Sequence, residues 1–137
     1  YLCFSGPYTG VKRINNIYKY KNIKNFKNLL AFSGKYDIIV SNPPYIKKDV
    51  IKKLSKDVQN EPIIALDGGK DGLVFYKKIV NEAIDYLKLG GYLCLEIGYD
   101  QKKDVMDLIK ENLQYINTYS KKDLYDNDRI VVTKVGG

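Results

Sequence analysis

Histidine is absent from this chain. That removes the commonest general base, the Ser-His and Cys-His nucleophile pairs and the commonest metal ligand. Any chemistry here must work by positioning and electrostatics. Cysteine is scarce: Cys3 and Cys94 are too few for a disulfide framework or a zinc site. Cys94 lies inside an apolar strand pattern and is expected as a small core residue. No apolar run approaches the roughly 18 residues of a membrane span, so no transmembrane helix is expected. The start carries neither the charged nor the continuous apolar region of a signal peptide. It also lacks an initiator Met, so Tyr1 is not expected to be a natural start. A cytoplasmic setting fits these absences best.

Acid is missing from the front. Residues 1–35 hold seven basic groups (Lys12, Arg13, Lys19, Lys21, Lys24, Lys27 and Lys35) and no Asp or Glu, so the formal net charge of +7 belongs wholly to that segment. Such a segment reads either as a basic arm for RNA, the ribosome or an acidic partner, or as a compositional bias without a charge-specific task. The chain's 137 residues suffice for one domain with a real core. Residues 1–35 form a basic, weakly patterned part and residues 36–137 a sharply patterned one.

Tyr1 to Phe4 is a short apolar run, and residues 12–30 read as irregular with room for one short strand or helix. From Tyr36 the pattern sharpens. Asp37 to Ser41 is a near-continuous apolar strand, as in a parallel sheet covered on both faces. Pro43 and Pro44 forbid it to continue. Residues 47–59 predict a short amphipathic helix or a flap, and Asn60 to Leu66 an extended stretch. Asp67-Gly68-Gly69-Lys70-Asp71-Gly72 is a turn, with Asp71 placed to cap a helix over 72–88. Gly90-Gly91 is expected to end that helix and Tyr92 to Ile97 to form the next strand. A second helix is predicted over 100–113, with Val105, Leu108, Ile109 and Leu113 on one face. Tyr115 to Tyr119 and Ile130 to Val135 are two closing strands. The alternation predicts an α/β sheet, mostly parallel, with an antiparallel closing strand.

Asn42-Pro43-Pro44-Tyr45 follows the first sharp strand, and α/β sheets bind ligands at the carboxyl ends of their strands. Its groups suit a planar NH2. The Asn42 side-chain oxygen can accept one N–H and the Pro43 carbonyl the other. The Pro-Pro pair stiffens that backbone, and Tyr45 can stack on the flat group. An amide nitrogen is a poor nucleophile, so a catalyst must hold it by its hydrogens and aim its lone pair. The proton can leave after transfer, so no histidine is needed.

These residues resemble S-adenosylmethionine-dependent methyltransferases acting on NH2 groups, among them adenine-N6 and protein glutamine-N5 enzymes. Ser41 to Ile46, Glu61-Pro62, Ala65 to Leu73, Gly90 to Leu93, Glu96-Ile97-Gly98 and Lys122-Asp123-Leu124 through Asp128-Arg129 resemble the release factor glutamine methyltransferases. The similarity covers about residues 36–135, the carboxyl-terminal part of a Rossmann-like class I catalytic domain. It implies S-adenosyl-L-methionine as cofactor and the glutamine of the Gly-Gly-Gln loop of peptide chain release factors as substrate. It implies that Asn42 contacts both donor and acceptor amide, and that Pro43, Pro44 and Tyr45 complete the amide pocket. Two alternatives stay open: an adenine-N6 nucleic-acid methyltransferase, and a non-catalytic binding module.

The chain departs from that family at the front. No acidic residue precedes Asp37, so the carboxylate that would bind the donor's ribose is missing. Tyr1 to Val11 resembles a degraded glycine-rich donor loop, with Ser5 and Pro7 at glycine positions. The strand at Tyr36–Ser41 is then expected to present an open edge, with marginal stability or self-association, unless Tyr1–Phe4 pairs along it.

Overall fold

The computed structural model describes residues 35–53 and 66–136 in full, and the backbone alone of 2–5, 11–14 and 17–20. Seven strands are described: β1 (Leu2–Ser5), β2 (Val11–Ile14), β3 (Ile17–Tyr20), β4 (Tyr36–Asn42), β5 (Leu87–Glu96), β6 (Tyr115–Lys122) and β7 (Asp128–Val135). Three helices are described among the same residues: α1 (Lys48–Ile51), α2 (Val74–Ala83) and α3 (Lys102–Lys110).

The strands form one sheet in the order β2-β3-β1-β4-β5-β7-β6. The α/β methyltransferase-like sheet and its antiparallel closing strand are as expected. The expectation of a mostly parallel sheet needs correction: β3–β1, β1–β4 and β4–β5 are parallel, while β2–β3, β5–β7 and β7–β6 are antiparallel. Two short connections explain this. Ile14 pairs with Ile17 across a hairpin, and the turn between Lys122 and Asp128 is too short for a parallel crossover. The stretch expected to be irregular thus supplies a pair of strands.

The expected open edge is also corrected. Leu2, Cys3, Phe4 and Ser5 pair in parallel with Ile39, Val40, Ser41 and Asn42. β1 therefore covers the Ile39–Asn42 part of that edge, the pairing that the sequence left open for the front run.

Burial follows strand alternation. Ile39, Leu93, Leu95, Val131 and Val135 join Tyr76, Ile79, Val80, Ala83, Val105, Ile109 and Tyr115 in one core, so α2 and α3 pack on a single face. The alternate positions Val40, Tyr92 and Ile130 are each more than a third exposed. Among the described residues β4 therefore has one covered face, not two, and Cys94 is half-buried, not a full core residue.

The helix and strand boundaries near Leu87 differ from expectation for one physical reason. Leu87 falls on the apolar stripe of the preceding helix in sequence, but it is buried as the first residue of β5, opposite Tyr36. The helix ends at Ala83 and a tight turn follows, with the Tyr86 N–H donating to the Ala83 carbonyl at 3.0 Å. Gly90-Gly91 does not end a helix. It lies in an irregularity of β5, between the pairs Tyr36–Leu87 and Ile38–Tyr92. Gly90 has φ +78°, and a Cβ on Gly91 would stand 3.0 Å from the Asp37 carbonyl oxygen. Neither position suits another residue. Leu113, expected on a buried face, is 91% exposed, because α3 ends at Lys110. Of the segment 47–59, one helical turn at Lys48–Ile51 is described; Glu61-Pro62 and most of 60–66 lie outside the described residues.

Candidate active site

Asn42 is the last residue of β4 and is exposed, while Pro43 and Pro44 are buried and Tyr45 is half-buried. The strand stops there because proline has no N–H for the ladder and a fixed φ. The four motif residues thus stand together at the carboxyl end of β4, where the parallel sheet opens. Ser5, the end of β1, is the partner of Asn42, so the chain that leaves β1 starts beside the Asn42 backbone. Ser41 is fully buried, and its hydroxyl has no hydrogen-bond partner among the described residues.

The turn at residues 67–72 does more than launch α2. It runs alongside the motif: Ile46 and Asp67 form a parallel bridge. The Ile46 N–H donates to the Leu66 carbonyl at 3.0 Å, the Gly68 N–H to the Ile46 carbonyl at 2.8 Å and the Lys48 N–H to the Gly69 carbonyl at 3.1 Å. The contact is close enough to exclude side chains. A Cβ on Gly68 would lie 2.7 Å from the Tyr45 Cα, and one on Gly72, whose φ is +76°, would lie 2.5 Å from the Tyr45 carbonyl oxygen. The glycines let two backbones touch, which is why this stretch cannot be an ordinary surface turn.

Asp67 and Asp71 shape that turn from within. Asp67 Oδ1 accepts the Gly69 N–H and Asp71 Oδ1 the Leu73 N–H, each at 2.9 Å. The capping role expected of Asp71 is therefore exerted just before the helix, whose own first-turn cap, Leu73, has no side-chain bond. Lys77 closes on Asp71 Oδ2 at 2.6 Å. That hydrogen bond, with the Leu73 N–H, holds the Asp71 carboxyl below its ordinary value.

From the other side, the turn after β5 meets the Tyr45 ring. A Cβ on Gly98 would lie 3.2 Å from Tyr45 Cδ2. Gln101, 4% exposed, sits between these pieces. Its Nε2 donates to the Tyr45 and Gly72 carbonyls, both at 3.2 Å, and its Oε1 accepts the Gly98 N–H at 3.0 Å. Tyr76, fully buried beneath, donates its hydroxyl to the Glu96 carbonyl at 2.8 Å. Burial foremost, and the neighbouring Tyr45 and Glu96, push the Tyr76 hydroxyl far up, so it keeps its proton and can donate.

The turn between β6 and β7 is built on Asp123. Its Oδ1 accepts the N–H groups of Tyr125 at 2.9 Å and Asn127 at 3.1 Å, and its Oδ2 takes both Nε and Nη2 of Arg129. Desolvation opposes the charge, but these bonds outweigh it and hold the Asp123 carboxyl low. The Lys122-to-Arg129 stretch thus forms one turn. The Arg129 guanidinium, held on Asp123, also feels Tyr45 and Glu96 electrostatically. The Ile97 N–H donates to the Arg129 carbonyl at 2.9 Å.

Sequence reasoning located Asn42, Pro43, Pro44 and Tyr45, and the structure brings them to one point. It missed Gln101, it read Gly68 and Gly72 as turn residues, and it took Gly98 only as part of the resemblance. A polar residue at the start of α3, three positions after a Gly, was the one visible signal for Gln101.

A family profile described as Eco57I restriction-modification methylase matches residues 7–101. A release factor glutamine methyltransferase of Clostridium acetobutylicum is 46% identical over 104 residues, which is 75% of this chain and 36% of that protein. One from Fusobacterium nucleatum is 48% identical over 101 residues, 73% of this chain and 28% of that protein. The chain therefore spans about a third of the length of these curated relatives. A solved release-factor-specific protein-(glutamine-N5) methyltransferase of Alicyclobacillus acidocaldarius superposes with a TM-score of 0.58 at 18% identity, covering 99% of this chain and 80% of that one. A methyltransferase of Streptococcus mutans, solved in complex with SAH, superposes with a TM-score of 0.51 at 12% identity, covering 89% and 62%. At these identities the superpositions speak for a shared fold.

Proposed function

Because the chain belongs to the family described as Eco57I restriction-modification methylase, we propose that it is the carboxyl-terminal part of the catalytic domain of a cytoplasmic release factor glutamine methyltransferase. Its activity is N5-methylation of the glutamine in the Gly-Gly-Gln loop of peptide chain release factors, in the service of translation termination. One observation carries this reading. Asn42 stands exposed at the carboxyl end of β4, directly before a buried Pro-Pro pair and a Tyr45 whose carbonyl is tied down. The curated relatives at 46–48% identity point to a protein glutamine as the acceptor.

The chain's own residues divide the work. Asn42 Oδ1 accepts one hydrogen of the substrate NH2 and the Pro43 carbonyl accepts the other. This turns the nitrogen lone pair out of the amide plane's favoured use and toward the incoming carbon. Tyr45 lies on the flat face of the amide, with Gly98 behind its ring. Pro43 and Pro44, buried and without N–H groups, keep this edge rigid and partly dry. The nitrogen's extra proton passes to water once the new N–C bond exists, so no side-chain base is required.

S-adenosyl-L-methionine, when bound, supplies the electrophilic methyl group. The described residues fit the methyl-bearing end of that donor: an exposed amide at Asn42 with the end of β1 beside it. They do not fit its ribose. Residues 1–36 hold no carboxylate, and Asp37 sits at the amino end of β4, paired with Lys88 at 2.9 Å.

The test is methyl transfer to a Gly-Gly-Gln peptide and, in parallel, to an adenine-containing oligonucleotide, followed by mass spectrometry. Transfer to the glutamine that disappears in Asn42→Ala supports the reading. Transfer to adenine alone moves the chain to the nucleic-acid branch of its family. Peptide binding without transfer leaves it a binding module.

A further inference from the structure

We infer that Gln101 is a positioning residue for the acceptor amide. This inference rests on the amide-pocket reading of Asn42 to Tyr45. Gln101 comes from a different part of the chain, at the start of α3, yet it is buried against the motif. A side-chain amide has two N–H donors and one carbonyl acceptor. Here both donors are spent on carbonyls of two different loops, Tyr45 and Gly72, and the acceptor takes the Gly98 N–H at 3.0 Å and, more distantly, the Tyr76 hydroxyl at 3.5 Å.

The arrangement ties three segments at one point: the motif after β4, the glycine turn before α2 and the turn after β5. Tyr45 O is the first carbonyl beyond the Pro-Pro pair. Fixing it fixes the Tyr45–Ile46 peptide, directly beyond the Tyr45 ring and two peptides on from the Pro43 carbonyl. The glycines at 68, 72 and 98 exist in the same contact, because a Cβ on any of them would meet Tyr45. Backbone close approach sets the distance, and the Gln101 amide sets the orientation.

Gln101 has a distinctive substitution. In Gln101→Glu the volume is kept and the Gly98 N–H keeps its acceptor, but the NH2 is replaced by an oxygen facing two carbonyls. Buried among acceptors, that carboxyl takes a raised pKa. Once protonated, it donates a single hydrogen again and restores part of the tie. The chain has no histidine, so few groups of the wild type titrate between about pH 8 and about pH 5.5.

The experiment measures Gly-Gly-Gln peptide affinity by calorimetry at about pH 8 and about pH 5.5 for wild type, Gln101→Glu and Gln101→Met, with amide hydrogen exchange on the same samples. Wild type is expected to bind with little pH dependence. Gln101→Glu is expected to bind at least about tenfold more weakly at the higher pH and to recover on acidification. Gln101→Met, which cannot titrate, stays weak at both. Exchange should quicken at Ile46, Lys48 and Gly68, whose N–H groups cross between the loops, and stay slow at Leu93 and Leu95. Should Gln101→Glu prove unfolded, Gln101→Met carries the test, since an unbranched neutral side chain of similar length keeps the packing. Affinity within twofold of wild type in a folded Gln101→Met would overturn the assignment, as would a loss in Gln101→Glu with no recovery on acidification. If wild type itself binds no peptide, the acceptor reading falls, and unchanged exchange at Ile46, Lys48 and Gly68 in either variant removes the tie as well.

Discussion

Gln101 Nε2 reaches the Tyr45 carbonyl at 3.2 Å across 56 positions of sequence. It ties the start of α3 to the chain just beyond β4.

Replacing Gly72 by Ala should destabilise the fold by about 1–3 kcal/mol, since the residue needs positive φ and the added carbon meets the Tyr45 carbonyl. Urea unfolding of the variant against wild type measures this. A change under half a kilocalorie, on that scale, would mean that the turn and the motif separate easily in solution.

Asn42→Ala should behave in the opposite way. Asn42 is exposed, so the melting temperature should hardly move. Methyl transfer to the peptide should fall by about 100-fold or more, the scale of losing one oriented polar contact to the reacting group. A parallel drop in melting temperature would assign Asn42 a structural duty instead.

Tyr76→Phe removes the hydroxyl that donates to the Glu96 carbonyl at 2.8 Å and leaves that carbonyl without this donor under the core. We expect a loss of about 1–3 kcal/mol with the aromatic packing intact. Leu95→Ala, by contrast, opens a cavity at a fully buried position and should cost about 2–5 kcal/mol. Equilibrium denaturation of the two variants side by side separates the hydrogen-bond loss from the packing loss.

Acid should weaken the turn before α2. The Asp71 carboxyl is held below its ordinary value of 3.8 by the Lys77 hydrogen bond and the Leu73 N–H. Its contribution is therefore fully present above the unfolded-state value and is lost as pH falls through the lower folded-state value. Both partners are nearly half exposed, so the effect is small and screened by salt. Unfolding midpoints taken from about pH 7 to about pH 3 should show a slightly shallower acid limb in Asp71→Asn than in wild type. Superimposable curves would show that the Asp71 pair contributes nothing measurable.

Much of this protein was legible from its residues. Asp37 to Ser41 announces a strand, two prolines forbid its continuation, and Asn42 places an amide side chain at the point where it stops. Local chemistry decides all of these, because proline geometry and side-chain donor inventories do not depend on distant partners. What the sequence could not decide were the matters of register and of contact. Leu87 sits on a helical stripe and is equally suited to a strand; packing opposite Tyr36 chose the strand. Gly90-Gly91 reads as a helix stop and is a kink inside β5, because Gly91 packs on the Asp37 carbonyl. The apolar front run could have left β4 with an open edge, and instead Leu2–Ser5 pairs along it. Gln101 is an unremarkable polar residue in the sequence. Only the fold, by burying it between two carbonyls and an N–H that are far apart in the chain, makes it the residue on which the site's geometry turns.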